Sequence, residues 1–331
     1  MKALNRKFEW KHRNNKFLYY TKASFRELLP ASYFRSRLKR ELSKVKDFDI
    51  AYIRDRVNYY NRISETRELS HDSITLGELK VPKKDSVYYF DTYEYSRYFD
   101  PTFRAKIVYG DVLSIPQEPT ILKYRPIPAV NENYVLLKLN KVRLFSFSND
   151  KREFQEKKDM LIGRAVVKYP ARVRFYEKYF NHRMCDLGLI NKDGNPLWRK
   201  EKITIDDHLD YKFILCLEGY DIASNLRWVM SSNSLAVMPK PTYESWYMEE
   251  RLIPNYHYVL IKDDYSDLEE RLNYYIENAD EALRIIENAK AYANQFRNKK
   301  REDLISLLVL EKYFYRTCQL EPISDRTIFD A

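Results

Sequence analysis

YKFILCLEGYDIASNLRWVMSSNSLAVM, residues 211–238, sets the fold class. Lys212–Leu217 is a continuous apolar run, as in a strand of a parallel sheet covered on both faces. It ends on Glu218-Gly219-Tyr220-Asp221. Ser224–Ser231 then reads as a short helix with Ser224 as its N-cap, and Ser234–Met238 as the next strand. The alternation continues downstream. Thr242–Arg251 reads as a helix capped by Thr242, His257–Ile261 as a strand, and Ser266–Asn278 as a helix opening on the capping-box pattern Ser266-Asp-Leu-Glu269. Asp280–Arg297 reads as a longer helix. Strands and helices in this order predict an α/β domain with a parallel sheet.

Working outward, Met160–Val166 reads as a strand and Ala171–Phe180 as a helix. The first part of the chain is less regular. Residues 24–46 have helical spacing, with Leu28, Leu29, Tyr33, Phe34, Leu38 and Leu42 on one face opposite Arg35, Lys39 and Lys46. Ile50–Ile63 is predicted helical. Ser86–Phe90, Lys106–Tyr109, Thr120–Tyr124 and Val142–Phe147 are predicted as short strands. Residues 303–318 form a last amphipathic helix. The expected division is a first domain at 1–155, a second at 156–300, and a C-terminal helix at 301–331 that crosses back to the first.

A chain of 331 residues with 44% hydrophobic content can bury two cores. It has no apolar run of membrane-spanning length and no apolar stretch near its N-terminus of the kind a secretory signal carries. A cytoplasmic protein with reduced thiols is expected, since Cys185, Cys216 and Cys318 have no metal-ligand spacing. Residues 1–46 hold 14 Lys/Arg against 3 Asp/Glu, and the rest of the chain is nearly neutral. Such a segment suits an anionic membrane surface, an anionic acceptor or nucleic acid. Aromatic residues spread through predicted core elements argue against nucleic acid.

The loop from Leu217 to Arg227 is the candidate ligand site. Ligands of parallel α/β sheets bind at the carboxyl ends of strands. Gly219 permits close backbone approach, Ser224 marks a helix N-terminus, and Arg227 adds positive charge, a set that suits a pyrophosphate. The chain has only six glycines and neither GxGxxG nor GxxxxGK[ST], which argues against a dinucleotide-dependent oxidoreductase and a P-loop kinase. Glu244 could accept bonds from ribose hydroxyls. His257 reads as a structural histidine. Asp47-Phe48-Asp49 has D-x-D spacing but follows a basic helix rather than an apolar strand.

The stretch from Tyr211 to Tyr275, together with VYYFDTYEYSRYF, YGDVLSIPQEPTILKYRPI, NYVLLKLNKVRLFSFSND and VRFYEKYFNHRMCDLG, resembles glycosyltransferase family 90. The resemblance covers roughly residues 50–280 and lies nearest the bacterial lipopolysaccharide core transferases. It implies a GT-B fold, two Rossmann-like domains across a cleft, with the nucleotide on the C-terminal one. It places Glu218, Gly219, Ala223, Ser224 and Arg227 in the donor-phosphate block and Glu244 near the nucleoside. Arg164 matches a strand-end arginine, although the order here is Gly163-Arg164-Ala165. The family implies an Asp base, for which Asp150 and Asp111 stand as candidates.

The resemblance thus implies a metal-independent, inverting hexosyltransferase. It would move glucose or galactose from a UDP-sugar to the inner core of lipopolysaccharide, at the cytoplasmic face of the inner membrane. A transferase of the same family acting on capsule polysaccharide or protein is the alternative.

Overall fold

The computed structural model describes residues 15–111 and 114–330. In chain order its strands are β1 (Ile74–Thr75), β2 (Arg104–Ile107), β3 (Thr120–Leu122), β4 (Tyr124–Pro126), β5 (Tyr134–Leu136), β6 (Lys158–Ala165), β7 (Cys185–Leu189), β8 (Tyr211–Leu215), β9 (Leu235–Met238), β10 (Tyr243–Ser245) and β11 (Val259–Leu260). The longer helices are α1 (Lys16–Glu27), α2 (Ile50–Tyr60), α3 (Ser86–Ser96), α4 (Pro170–Tyr179), α5 (Leu268–Glu277), α6 (Ala279–Asn294) and α7 (Lys299–Arg316). They form two compact units. One holds Val142–Thr242 and Met248–Gln295; the other holds Lys16–Lys141, Tyr243–Tyr247 and the chain from Phe296 on.

The first unit is built on a five-stranded sheet in the order β11-β9-β8-β6-β7, parallel throughout. The apolar runs explain it. Leu161, Phe213, Leu235, Val237 and Val259 are fully or almost fully buried, and Phe175, Tyr176, Leu268, Leu272, Ala282 and Ile285 pack in the same core from α4, α5 and α6. Burial at every residue of β9 leaves no polar face, as in a sheet covered on both sides.

The second unit has a four-stranded sheet, β1-β2-β3-β5, in which β2, β3 and β5 run parallel and β1 is an antiparallel edge. A separate antiparallel ribbon pairs β10 with β4 and sets Glu244 opposite Arg125. Helix α7 belongs to this unit, and it is not amphipathic. Leu304, Ile305, Leu308 and Val309 are buried, and so are Glu302, Ser306, Glu311 and Lys312. A helix covered all round must pair its polar groups internally. Glu302 takes bonds from Arg56 (3.1 Å) and Trp246 Nε1 (2.6 Å), and Glu311 accepts from the backbone of Ile323 and Ser324.

Three predicted elements change type. Ser86–Phe90 lies in helix α3 rather than in a strand. Its aromatic and β-branched residues favour a strand, but Val87, Tyr88, Asp91, Thr92 and Tyr95 are the buried positions, at helical spacing. Asp91 occupies a core position because it accepts from Tyr19 Oη and the Lys141 backbone. Val142–Phe147 opens as the end of a one-turn helix, Lys141–Leu144. Thr242–Arg251 is not a helix: it holds β10 and a 3-10 turn at Glu249–Arg251. The predicted helix at 24–46 is broken at Pro30 into α1 and shorter turns, with Phe34, Leu38 and Leu42 buried and Leu28, Leu29 and Tyr33 exposed. No helix among the described residues is long and apolar enough to cross a membrane.

Candidate functional site

The order of the parallel sheet marks one position. From β6 the chain moves to one side, to β7, and then returns to the other side, to β8. The loops leaving the carboxyl ends of β6 and β8 therefore lead to opposite sides, the topological position at which doubly wound sheets bind ligands. The loop after β6 is Val166-Val-Lys-Tyr169, followed by α4 with Pro170 at its first turn. The loop after β8 is Cys216-Leu-Glu-Gly-Tyr-Asp221.

One guanidinium ties the two loops together. Arg172 donates from Nη2 to the Leu217 carbonyl (2.8 Å), from Nε to that of Glu218 (3.1 Å) and from Nη1 to that of Val166 (3.2 Å). Burial pulls its pKa below the usual arginine value. Gly219 lies flat on this brace. A Cβ there would stand 3.0 Å from the Tyr169 ring and 3.1 Å from Arg172 Cζ. The Glu218 carboxylate accepts from the backbone N (3.0 Å) and Oγ1 (2.5 Å) of Thr242, fastening the β8 loop to the segment after β9. Lys168 is exposed beside the Tyr169 ring, and Tyr220 is partly exposed at the loop tip. Sequence reading missed Tyr169 and Arg172. Their role rests on contacts to loops distant in sequence, for which the sequence carries no local signal.

Ala223 and Ser224 follow in the same loop, but Ser224 is not the N-cap. The short helix is Leu226–Met230 and its cap position is Asn225, whose Nδ2 donates to the Leu215 carbonyl (2.9 Å). Arg227 is not a surface arginine. It is 0% exposed, donates to Glu249 Oε1 at 2.6 Å and to the Ala223 carbonyl at 3.4 Å, and lies over the Phe145 ring.

Arg164 lies at the end of β6 and is directed at β7. It donates to the Asp186 carbonyl (2.7 Å) and carboxylate (2.9 Å). Gly188 makes room for it, since a Cβ there would meet Arg164 Cδ at 2.8 Å. Burial alone would raise the Asp186 carboxyl. Bonds from Lys200 and Tyr211 and the Arg164 charge hold it down to about 2.

The two candidate bases differ sharply. Asp150 is wholly buried in the first unit, accepting from Lys157 Nζ (2.7 Å) and from the backbone N of Asn233 (3.0 Å) and Arg152 (3.2 Å). Asp111 belongs to the second unit, after Gly110 at φ +89°, and its side chain is 50% exposed beside a buried Lys123 that reaches it at 2.7 Å.

Glu244 also belongs to the second unit, on β10 rather than at a helix start. It is fully buried, accepts from Arg125 Nε (2.6 Å), Arg62 (3.3 Å) and Tyr59 Oη, and anchors the Tyr243–Tyr247 segment. Asp49, of the D-x-D triplet, caps α2 by accepting from the backbone of Ala51 and Tyr52. His257 is the structural histidine expected: its Nδ1 accepts from Ile253 N, and burial lowers its pKa.

Comparison with known proteins agrees with this architecture. Residues 149–313 match the profile of Glycosyl transferase family 90. The chain is 37% identical over 304 residues to the O-glucosyltransferase LpsA of Dichelobacter nodosus, covering 91% of this chain and 95% of that one. It is 32% and 31% identical over 151 residues to the Protein O-glucosyltransferase 3 of Rattus norvegicus and Homo sapiens, 44% of this chain and 29% of each of those. A relative matched along nearly its whole length fixes the assignment: the chain belongs to glycosyltransferase family 90, and is a hexosyltransferase.

Proposed function

We propose that this enzyme transfers a hexose, glucose or galactose, from a UDP-sugar to the inner core of lipopolysaccharide, with inversion and in a GT-B arrangement. The observation that carries the hexose is the match to an O-glucosyltransferase over 95% of its length. The donor site lies at the ends of β6 and β8. There the Leu217–Ser224 loop, braced by Arg172, presents backbone N–H groups, the Ser224 hydroxyl and the nearby Lys168 to the diphosphate. The acceptor hydroxyl attacks the anomeric carbon while its proton passes to an aspartate base, for which Asp150 and Asp111 are the candidates. The bond to the diphosphate oxygen breaks on the opposite side, and UDP leaves. Charge at the leaving oxygen is met by these fixed donors without need of a cation.

The lipopolysaccharide acceptor rests on the resemblance to the bacterial branch and on the basic residues of 1–46, which suit an acidic inner core at an anionic cytoplasmic membrane face. The test is turnover of UDP-glucose and UDP-galactose with core oligosaccharide, capsule fragments and peptides as acceptors. Release of UDP with core oligosaccharide supports the assignment. Turnover confined to capsule fragments or peptides overturns it.

A further inference from the structure

Helix α1 is fastened to its unit along one face. Tyr19 Oη donates to Asp91, Ala23 is buried, and Arg26 pairs with Glu94 at 2.7 Å. These residues are spaced four and three apart and so share a side. Helical geometry turns Phe17 and Phe25 away from that side, and Leu28 follows the last helical residue, Glu27. Phe17, Phe25 and Leu28 are 80%, 65% and 76% exposed, and Leu29 is 48% exposed. Four large apolar side chains are thus exposed within one short segment, an apolar excess that often marks an interaction surface. In the same segment Lys16, Lys22, Arg35, Lys39 and Lys46 are exposed, and residues 16–46 contain only Glu27 and Glu41 as acids. Glu41 is already paired with Arg40 and Lys44. Exposed apolar residues interspersed with exposed cations suit a surface that is negative outside and oily beneath.

We propose that α1 and the turn after it form an interfacial membrane anchor. Phe17, Phe25, Leu28 and Leu29 enter the boundary of the acyl chains, and the surrounding lysines and arginines rest on anionic phospholipid headgroups. The inference builds on the membrane reading of the basic segment and adds an apolar component to it. The experiment is co-sedimentation of the full chain with phosphatidylcholine vesicles, with and without phosphatidylserine, for the wild type and two triple variants. One is Phe17→Ser with Phe25→Ser and Leu28→Ser; the other is Lys16→Glu with Lys22→Glu and Lys39→Glu. The expected result is binding to phosphatidylserine vesicles that falls more than about tenfold in each variant. Both variants keep the wild-type melting temperature, because all six side chains are exposed. Binding lost only in the charge variant would overturn the anchor while keeping electrostatic attraction. Absence of vesicle binding would sink both, and so would a dimer in solution dispersed by the serine variant, or binding to RNA in place of vesicles.

Discussion

Arg227 Nη2 lies 2.6 Å from Glu249 Oε1, and both side chains are withdrawn almost completely from solvent. The charge that looked available for a phosphate is therefore engaged in holding the short helix Leu226–Met230 against the turn Glu249–Arg251. Removing one partner of a buried pair leaves the other charge without compensation. Arg227→Ala is expected to lower the free energy of unfolding by about 3–5 kcal/mol in urea titration. Arg227→Met combined with Glu249→Leu should recover most of that loss. A stable Arg227→Ala protein with a raised donor KM would return Arg227 to the diphosphate.

Glu244 makes a parallel case in the second unit. Arg125, Arg62 and Tyr59 converge on its carboxylate, and it is fully buried. Glu244→Gln should destabilise the fold by roughly 2–4 kcal/mol, since two arginines lose their counter-charge. The KM for the sugar nucleotide should stay within about twofold, because uniform binding energy is untouched. Loss of donor affinity at unchanged stability would restore the nucleoside role.

The legible part of the fold was the part dominated by buried apolar runs. β6, β8 and β9 could be read from MLIGRAV, KFILCL and SLAVM because a strand covered on both sides leaves no polar alternation to misread. Where polar residues occupy core positions, the pattern misled. Asp91 inside α3 and Glu244 inside β10 are each satisfied by partners distant in sequence, Tyr19 and Lys141 for one and Arg125 for the other. The donor loop could be located from Glu218-Gly219, but its brace could not. Arg172 acts through three carbonyl groups on two loops, a relation that appears only once the strand order is known.

Exposure separates the two aspartates. Asp111→Asn should cut turnover by about 10²–10⁴-fold, the usual contribution of a general base. Its melting temperature should fall less than that of Asp150→Asn, since the Asp111 side chain is half exposed and its pair with Lys123 is screened by solvent. Asp150→Asn should do the reverse, because it removes the counter-charge of buried Lys157 and weakens the acceptor of the Asn233 backbone N–H. Parallel kcat and thermal-melt measurements decide the matter, and full turnover in Asp111→Asn would eliminate it as the base.

Asp186 gives a dependence on pH whose sign can be worked out. Its carboxyl falls from the ordinary 3.8 to about 2 in the folded chain, against the effect of burial, because Lys200, Tyr211 and Arg164 favour the charged form. A depressed folded pKa means that the stabilisation is complete above the unfolded value and is lost as pH falls from 3.8 towards 2. Its size is at most roughly 2 kcal/mol at neutral pH, since solvent screens the partly exposed carboxylate. Asp186→Asn should therefore be less stable than wild type at neutral pH, and the two should converge as pH falls through that window. Urea titrations at several pH values measure this directly. Parallel stability curves, with a constant gap down to pH about 2, would mean that Asp186 titrates alike folded and unfolded and that the Arg164 pair contributes no linkage.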